Sequence, residues 1–203
     1  MAVDSTMVPL GTPMPPFALP DVAGRRVRSD DLAGAPVLVA FVCNHCPYVK
    51  HVETVLAQVV ARHPGVRVVA ICTNDAQAYP DDAPEHLAEQ AQRAGWDFPY
   101  LVDEDQDVSR SFGAACTPDF FLYAADGTLA YRGAMDGATP SNGVPVTGEL
   151  LDDALALVVA GRAVPEPHRP SRGCSIKWRQ AGPADAGFEH PTPARAITDR
   201  LRP

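Results

Sequence analysis

No stretch of this 203-residue chain carries the roughly 18 consecutive apolar residues that a membrane-crossing helix needs. The first residues, MAVDSTMVPLGTPMPP, lack a basic start followed by an apolar core of about 7–15 residues, so no secretory signal is expected and the cytoplasm is the default location. There is no internal repeat, and no surplus of positive charge. Residues 1–162 carry 21 acidic and 10 basic side chains (−11), and residues 163–203 carry 4 and 7 (+3), which together make the net −8. So acidic a body argues against a nucleic-acid groove. Metal-ligand spacing is missing among the histidines: His51 follows the first cysteines on a helix, while His63, His86, His168 and His190 fall at helix ends, helix starts or in the tail. The Asp103, Glu104, Asp105, Asp107 cluster reads as a solvated loop rather than a cation site. What the chain does have is a 46% hydrophobic content, enough for a real core, and five cysteines. In a reducing compartment those cysteines mean catalysis, metal binding or packing rather than structural disulfides.

The patterning predicts a β-rich lead-in with a hairpin turning at DVAG, then a strand at APVLVAFV (35–42) whose unbroken apolar run suits burial on both faces. Val49, Val52, Val55, Leu56, Val59 and Val60 recur at helical spacing until Pro64-Gly65. A second buried strand covers VRVVAICTND (66–75), followed by a helix at EHLAEQAQRAG, a short strand at FPYLVDE and a short helix ended by Gly113. TPDFFLYAADGTLAYRG reads as two strands about an Asp126-Gly127 turn, and GELLDDALALVVAGRA as a last amphipathic helix. This order implies a mixed sheet flanked by helices, an α/β domain over residues 1–162. Residues 163–203, with seven prolines and little apolar periodicity, read as an extended, partly disordered, solvated tail.

The chemistry concentrates in FVCNHCPYVKHV (41–52). Cys43 stands where a buried strand feeds a helix, a place where backbone N–H groups and the helix dipole stabilise a thiolate. Cys46 follows one turn later, close enough for a small disulfide. Pro47 has no N–H to give back to residue 43, so the regular helix begins near it, and Asn44 and His45 form the turn between the sulfurs. An imidazole at His45 favours the thiolate and hence the reduced dithiol, predicting a potential above the roughly −270 mV of thioredoxin. Of the other thiols, Cys72 lies inside a strand and reads as a small hydrophobe. Cys116 sits two residues before Pro118, and Cys174, in SRGCSIKW, lies on a tail that would have to fold back to act. Both are possible additional redox cysteines.

These motifs resemble a known group. Cys-x-x-Cys after a core strand, with Thr117-Pro118 before a later strand, is similar to the thioredoxin fold, in which such a proline is cis and packs against the cysteines. FVCNHCPYV, CTPDFFLYAADG, PPFALPDVAG and GCSIKW together resemble the peroxiredoxin-like branch of redoxins, related to the alkyl hydroperoxide reductase/thiol-specific antioxidant group, over roughly residues 8–178. The resemblance implies a thioredoxin-like fold with an N-terminal β-hairpin and an extended C-terminal tail. It also implies thiol–disulfide exchange without an organic cofactor. Cys43 would attack, Cys46 would resolve, and Thr117-Pro118 would form the platform for a substrate chain. Partners would be protein or small-molecule disulfides and thiols, with a cellular reductant such as a thioredoxin system, and neither nucleic acid nor membrane.

The match is not complete. Peroxiredoxins carry a Thr or Ser three residues before the reactive Cys and a distant Arg; counting back from Cys46 puts Cys43 at the hydroxyl position, and Pro118 stands in the Arg's place. A thiol peroxidase with Cys46 as peroxidatic cysteine is therefore the alternative enzyme. Val42 and Val37 replace the Trp and the buried acid of thioredoxins. From another class comes a Cu or Zn carrier using Cys43 and Cys46 with a distant His, Cys116 or Cys174. An adaptor without turnover is a further alternative.

Overall fold

The computed structural model describes residues 1–179, and the predictions that fall on residues 180–203, His190 among them, lie outside the described residues. In chain order the elements are β1 (Ala2–Asp4), β2 (Ala18–Pro20), β3 (Arg26–Arg28), β4 (Val37–Phe41), α1 (Pro47–Ala61), β5 (Arg67–Cys72), α2 (Pro84–Ala94), β6 (Tyr100–Val102), α3 (Asp107–Phe112), β7 (Cys116–Thr117), β8 (Asp119–Tyr123), β9 (Leu129–Gly133), α4 (Glu149–Val159) and β10 (Arg172–Ser175). Short 3-10 turns at Ser29–Leu32 and Pro80–Asp82 complete the set.

β4 is buried at all five positions because it lies at the centre of a five-stranded sheet, ordered β6-β5-β4-β8-β9. It pairs parallel to β5 and antiparallel to β8, which makes the sheet mixed. Alternation along β4 then serves two cores. Leu38 and Ala40 join Val49 and Leu56 of α1, Leu87 of α2 and Leu155 of α4 on one face. Val39 and Phe41 join Phe112 of α3, Ile71 and Phe121 on the other. Phe112 meets Phe41, Phe121 and Tyr123 edge-on, with ring centroids 5.4–6.1 Å apart. This is the thioredoxin-like arrangement the motifs implied. The lead-in hairpin is the β2–β3 pair, and Gly113 ends α3 in the left-handed conformation at φ 68°.

Three short strands escaped the patterning. β1, β10 and β7 form a second sheet in that order. The reading of residues 163 onward as a solvated extension is corrected for residues 163–179. His168, Ser171 and Ile176 are buried, Ala134 N–H donates to Arg169 O (2.9 Å), and Ser171 Oγ donates to Gly133 O (2.6 Å). Residues 163–179 are extended, but they are strapped along β9 and then inserted as β10 between β1 and β7. Hydrophobic patterning could not reveal this, because backbone N–H and C=O groups hold a four-residue strand such as RGCS whatever its side chains.

Candidate active site

β4 and α1 position the cysteines. The strand ends at Phe41 and the chain turns through Cys43, Asn44 and His45, so that Cys46 becomes the N-cap of α1 with Pro47 at the first helical position. The turn is locked from outside by one buried carboxylate. Asp82 Oδ1 accepts from the backbone N–H of Asn44 (2.8 Å) and of His45 (3.0 Å). Asp82 Oδ2 meets His45 Nδ1 (2.5 Å) and accepts from Asn74 Nδ2 (2.9 Å). Burial opposes ionisation of Asp82, yet the bonds from His45 and Asn74 hold its carboxyl below the ordinary range. The His45 ring stacks on Tyr79, with centroids 5.1 Å apart. Gln90 Nε2 ties Cys43 O at 3.2 Å, and Arg93 holds Asn44 Oδ1 at 3.1 Å.

Opposite the cysteines stands Thr117, joined to Pro118 by a cis peptide bond as the resemblance implied. Cys43 Sγ lies 3.3 Å from Thr117 Oγ1, and the Cys46 thiol donates to Thr117 O at 3.2 Å. The two sulfurs are electrostatically unequal. Cys46 is held well below the usual thiol range, first by the Cys43 thiol donating to it and then, against burial, by Thr117, Cys174 and the Val49 N–H of the first helical turn. Cys43 is pushed the other way by the facing Cys46, by burial and by the Asp82 carboxylate. The resemblance gave the thiolate to Cys43, whereas the surroundings lower Cys46 and raise Cys43. The helix starts after the second cysteine, so its N-terminal N–H groups serve that sulfur, while the carboxylate that builds the turn faces the first.

The edge expected to receive a substrate chain is also occupied. β7 pairs antiparallel with β10, bringing Thr117 opposite Cys174 and Cys116 opposite Ser175. Both Cys43 and Cys46 are fully buried beneath this pairing.

A model of the AhpC/TSA family matches residues 10–132. The chain belongs to the AhpC/TSA family. Among its relatives, the thiol-disulfide oxidoreductase ResA of Geobacillus thermodenitrificans is 25% identical over 133 residues, covering 62% of this chain and 70% of that protein. The crystal structure of an uncharacterized conserved protein from Geobacillus kaustophilus superposes with a TM-score of 0.86 at 47% identity, covering 90% of this chain and 98% of the other. A hypothetical protein from Sinorhizobium meliloti 1021 gives 0.85 at 40% identity over 88% and 99%. A secreted Mycobacterium tuberculosis disulfide oxidoreductase homologous to E. coli DsbE gives 0.56 at 22% identity over 69% and 94%, a likeness of fold.

Within this AhpC/TSA chain the other predicted residues separate clearly. Cys72 packs in the core, and burial pushes its thiol up. Cys116 is also buried and its thiol raised, first by burial and then by Asp119; its Sγ lies 3.6 Å from Pro118 O. Cys174, by contrast, packs against the cluster that holds Cys43 and Cys46. His63 and Arg62 bind Asp152 of α4, and His168 lies under the Tyr131 ring beside Arg132, all away from the sulfurs. Among the described residues, Cys43, His45 and Asp82 form the one trio whose ligating atoms lie within 4.8 Å of one another. Asp82 is already engaged by four donors there, and Cys46 stands outside the trio, so the arrangement does not fit the two-cysteine carrier considered from the sequence.

Sequence reasoning missed Asp82, Asn74 and Tyr79, which lie in the connection between β5 and α2, and Gln90 of α2; the four share no recognisable spacing. One signal was available. Glu53 lies on the otherwise apolar face of α1, where it is buried and receives Arg93 Nε (2.9 Å) and Gln90 Nε2 (3.1 Å). A charge at a core position asks for partners.

Proposed function

We propose that this protein is a thiol–disulfide oxidoreductase that cycles Cys43 and Cys46 between dithiol and disulfide. The observation that carries the reading is the convergence of both sulfurs on Thr117, with Cys46 at the start of α1 and its proton weakly held. The Cys46 thiolate attacks a substrate disulfide, forming a mixed disulfide and releasing one substrate thiol. Cys43 then attacks Cys46 Sγ, expelling the second thiol and leaving the Cys43–Cys46 disulfide, which a cellular dithiol reduces again. Asp82 is a positioning residue that sets the turn. With β10 on the Thr117 edge, small disulfides such as oxidised glutathione suit the site better than an extended polypeptide. The kinship with ResA supports the same reaction class.

The roles are tested by trapping. A Cys43→Ser, Cys174→Ser protein treated with oxidised glutathione should retain the adduct at Cys46. An adduct confined to Cys43 in a Cys46→Ser protein, with none at Cys46 in the first variant, would reverse the roles. Peroxide reduction is a second reading, favoured by the lowered Cys46 thiol, since the family resemblance makes that residue peroxidatic. Stopped-flow peroxide consumption far faster than that of free thiols would promote it; consumption at the free-thiol rate would remove it.

A further inference from the structure

We propose that Cys174 is a third redox-active thiol, which exchanges with Cys46 and carries the disulfide from the buried pair out to β10; the proposal rests on the oxidoreductase reading above. Cys174 is fixed opposite Thr117 by strand pairing, and Thr117 O is the atom that Cys46 Sγ meets at 3.2 Å. Cys43 Sγ meets the hydroxyl of the same residue at 3.3 Å. Thr117 is therefore the common neighbour of the Cys43 and Cys46 sulfurs and the β-partner of the residue bearing the third thiol, which packs against the cluster that holds the other two.

The placement of Cys174 belongs to the fold rather than to a wandering tail. β10 lies between two strands: Ala2 of β1 opposes Cys174 on one side and Thr117 of β7 on the other. Ser175 N–H donates to Met1 O (3.0 Å), and Ile176 N–H to Ala115 O (3.1 Å). The preceding Gly173 comes so close to β7 that a Cβ there would lie 2.0 Å from Thr117 O. A side chain at 173 would therefore push β10, and with it Cys174, off the site.

Burial gives the exchange a purpose. Cys43 and Cys46 have no solvent exposure, whereas Cys174 is half-buried. Of the three cysteines, it is the one that retains solvent-accessible surface among the described residues. Its own thiol is pushed up to about 11, by burial first and then by the facing Cys46 sulfur, while Lys177 and the N-terminal ammonium oppose the shift. Once Cys46 enters a disulfide its negative charge is gone, and with it part of what holds the proton on Cys174.

The exchange balances without an added oxidant. Starting from the Cys43–Cys46 disulfide, Cys174 loses its proton and attacks Cys46 Sγ. The Cys46–Cys174 bond forms, the Cys43–Cys46 bond breaks, and Cys43 leaves as a thiolate that takes up the proton. An external dithiol then attacks the Cys46–Cys174 disulfide at Cys174 Sγ and releases Cys46 as the thiol. Starting instead from a mixed disulfide of Cys46 with glutathione, the same attack expels glutathione as its thiol.

Oxidised glutathione, added to a Cys43→Ser protein and to a Cys43→Ser, Cys174→Ser protein, separates the outcomes by intact mass and peptide mapping. The single variant should lose two hydrogens, carry no lasting glutathione, and yield a Cys46–Cys174 cross-linked peptide. The double variant should keep the adduct on Cys46, clearing it at least about tenfold more slowly, as expected when an intramolecular thiol is removed. A lasting adduct in both variants overturns the role of Cys174 and leaves the oxidoreductase reading intact. Absence of any adduct or cross-link in both overturns the reading, and the proposal with it. The unaltered protein provides the check that needs no substitution: its oxidised form should yield the Cys46–Cys174 cross-link beside Cys43–Cys46, and Cys43–Cys46 alone counts against the exchange.

Discussion

At the scale of single residues, buried carboxylates differ according to what meets them. Asp82 is surrounded by donors and ionises readily; Asp119, immediately after Pro118, is fully buried, and burial pushes its carboxyl up to about 7, with bonds from Ala115, Ser171 and Phe120 opposing. A raised folded value means a stabilisation that is whole below the unfolded value of 3.8 and lost as pH rises through about 7. Asp119→Asn should therefore gain about 2–4 kcal/mol on the parent in urea denaturation near pH 8, with the gap closing towards about pH 4. A constant gap across that range would show that Asp119 is not the titrating group. Asp82 has the opposite sign: its contribution is present above 3.8 and is lost as pH falls through its lowered folded value. Asp82→Ala removes the acceptor of two backbone N–H groups and should cost about 3 kcal/mol at neutral pH by the same measurement. Asp82→Ala should also let the Cys43 thiol titrate lower, since a carboxylate that raises it is gone.

Between elements, the decisive contact is β10 on β7. Gly173→Ala would drive a Cβ to 2.0 Å from Thr117 O. Relief requires the strands to part, at a cost of about 1–3 kcal/mol. Iodoacetamide labelling of Cys46 under native conditions should then rise at least about tenfold, because opening the strand pair becomes easier. Unchanged labelling would mean that β10 does not govern access to the sulfurs. The long elements, by contrast, were legible from residue order. β4, α1, β5 and α4 each bury a face large enough to impose its period on the sequence, and Asp126-Gly127 marks the β8–β9 turn. β5 ends at Cys72, short of the predicted Asp75, because β6 offers it no partner beyond Val102. Freed from the sheet, Asn74 binds Asp82 and receives Lys177 N–H.

For the molecule as a whole, the balance between dithiol and disulfide is the property that integrates these contacts. Donors that stabilise the Cys46 thiolate favour the reduced form, so the disulfide should be more oxidising than that of thioredoxin, with a potential above about −270 mV when titrated against glutathione. A value at or below that figure would remove the argument. Residue order alone determined the α/β architecture, the close spacing of Cys43 and Cys46 and their setting between β4 and α1, because hydrophobic period, Pro47 and the Cys-x-x-Cys spacing act over a few neighbouring residues. Tertiary structure decided what local order does not encode: what surrounds each sulfur, which carboxylate sets the turn, and where residues 163–179 run. Asp82, Thr117 and Cys174 come from three distant segments, and they act on the dithiol through hydrogen bonds and charge at a few ångströms. Such forces depend on distance in space, and only the folded sheet brings those segments together.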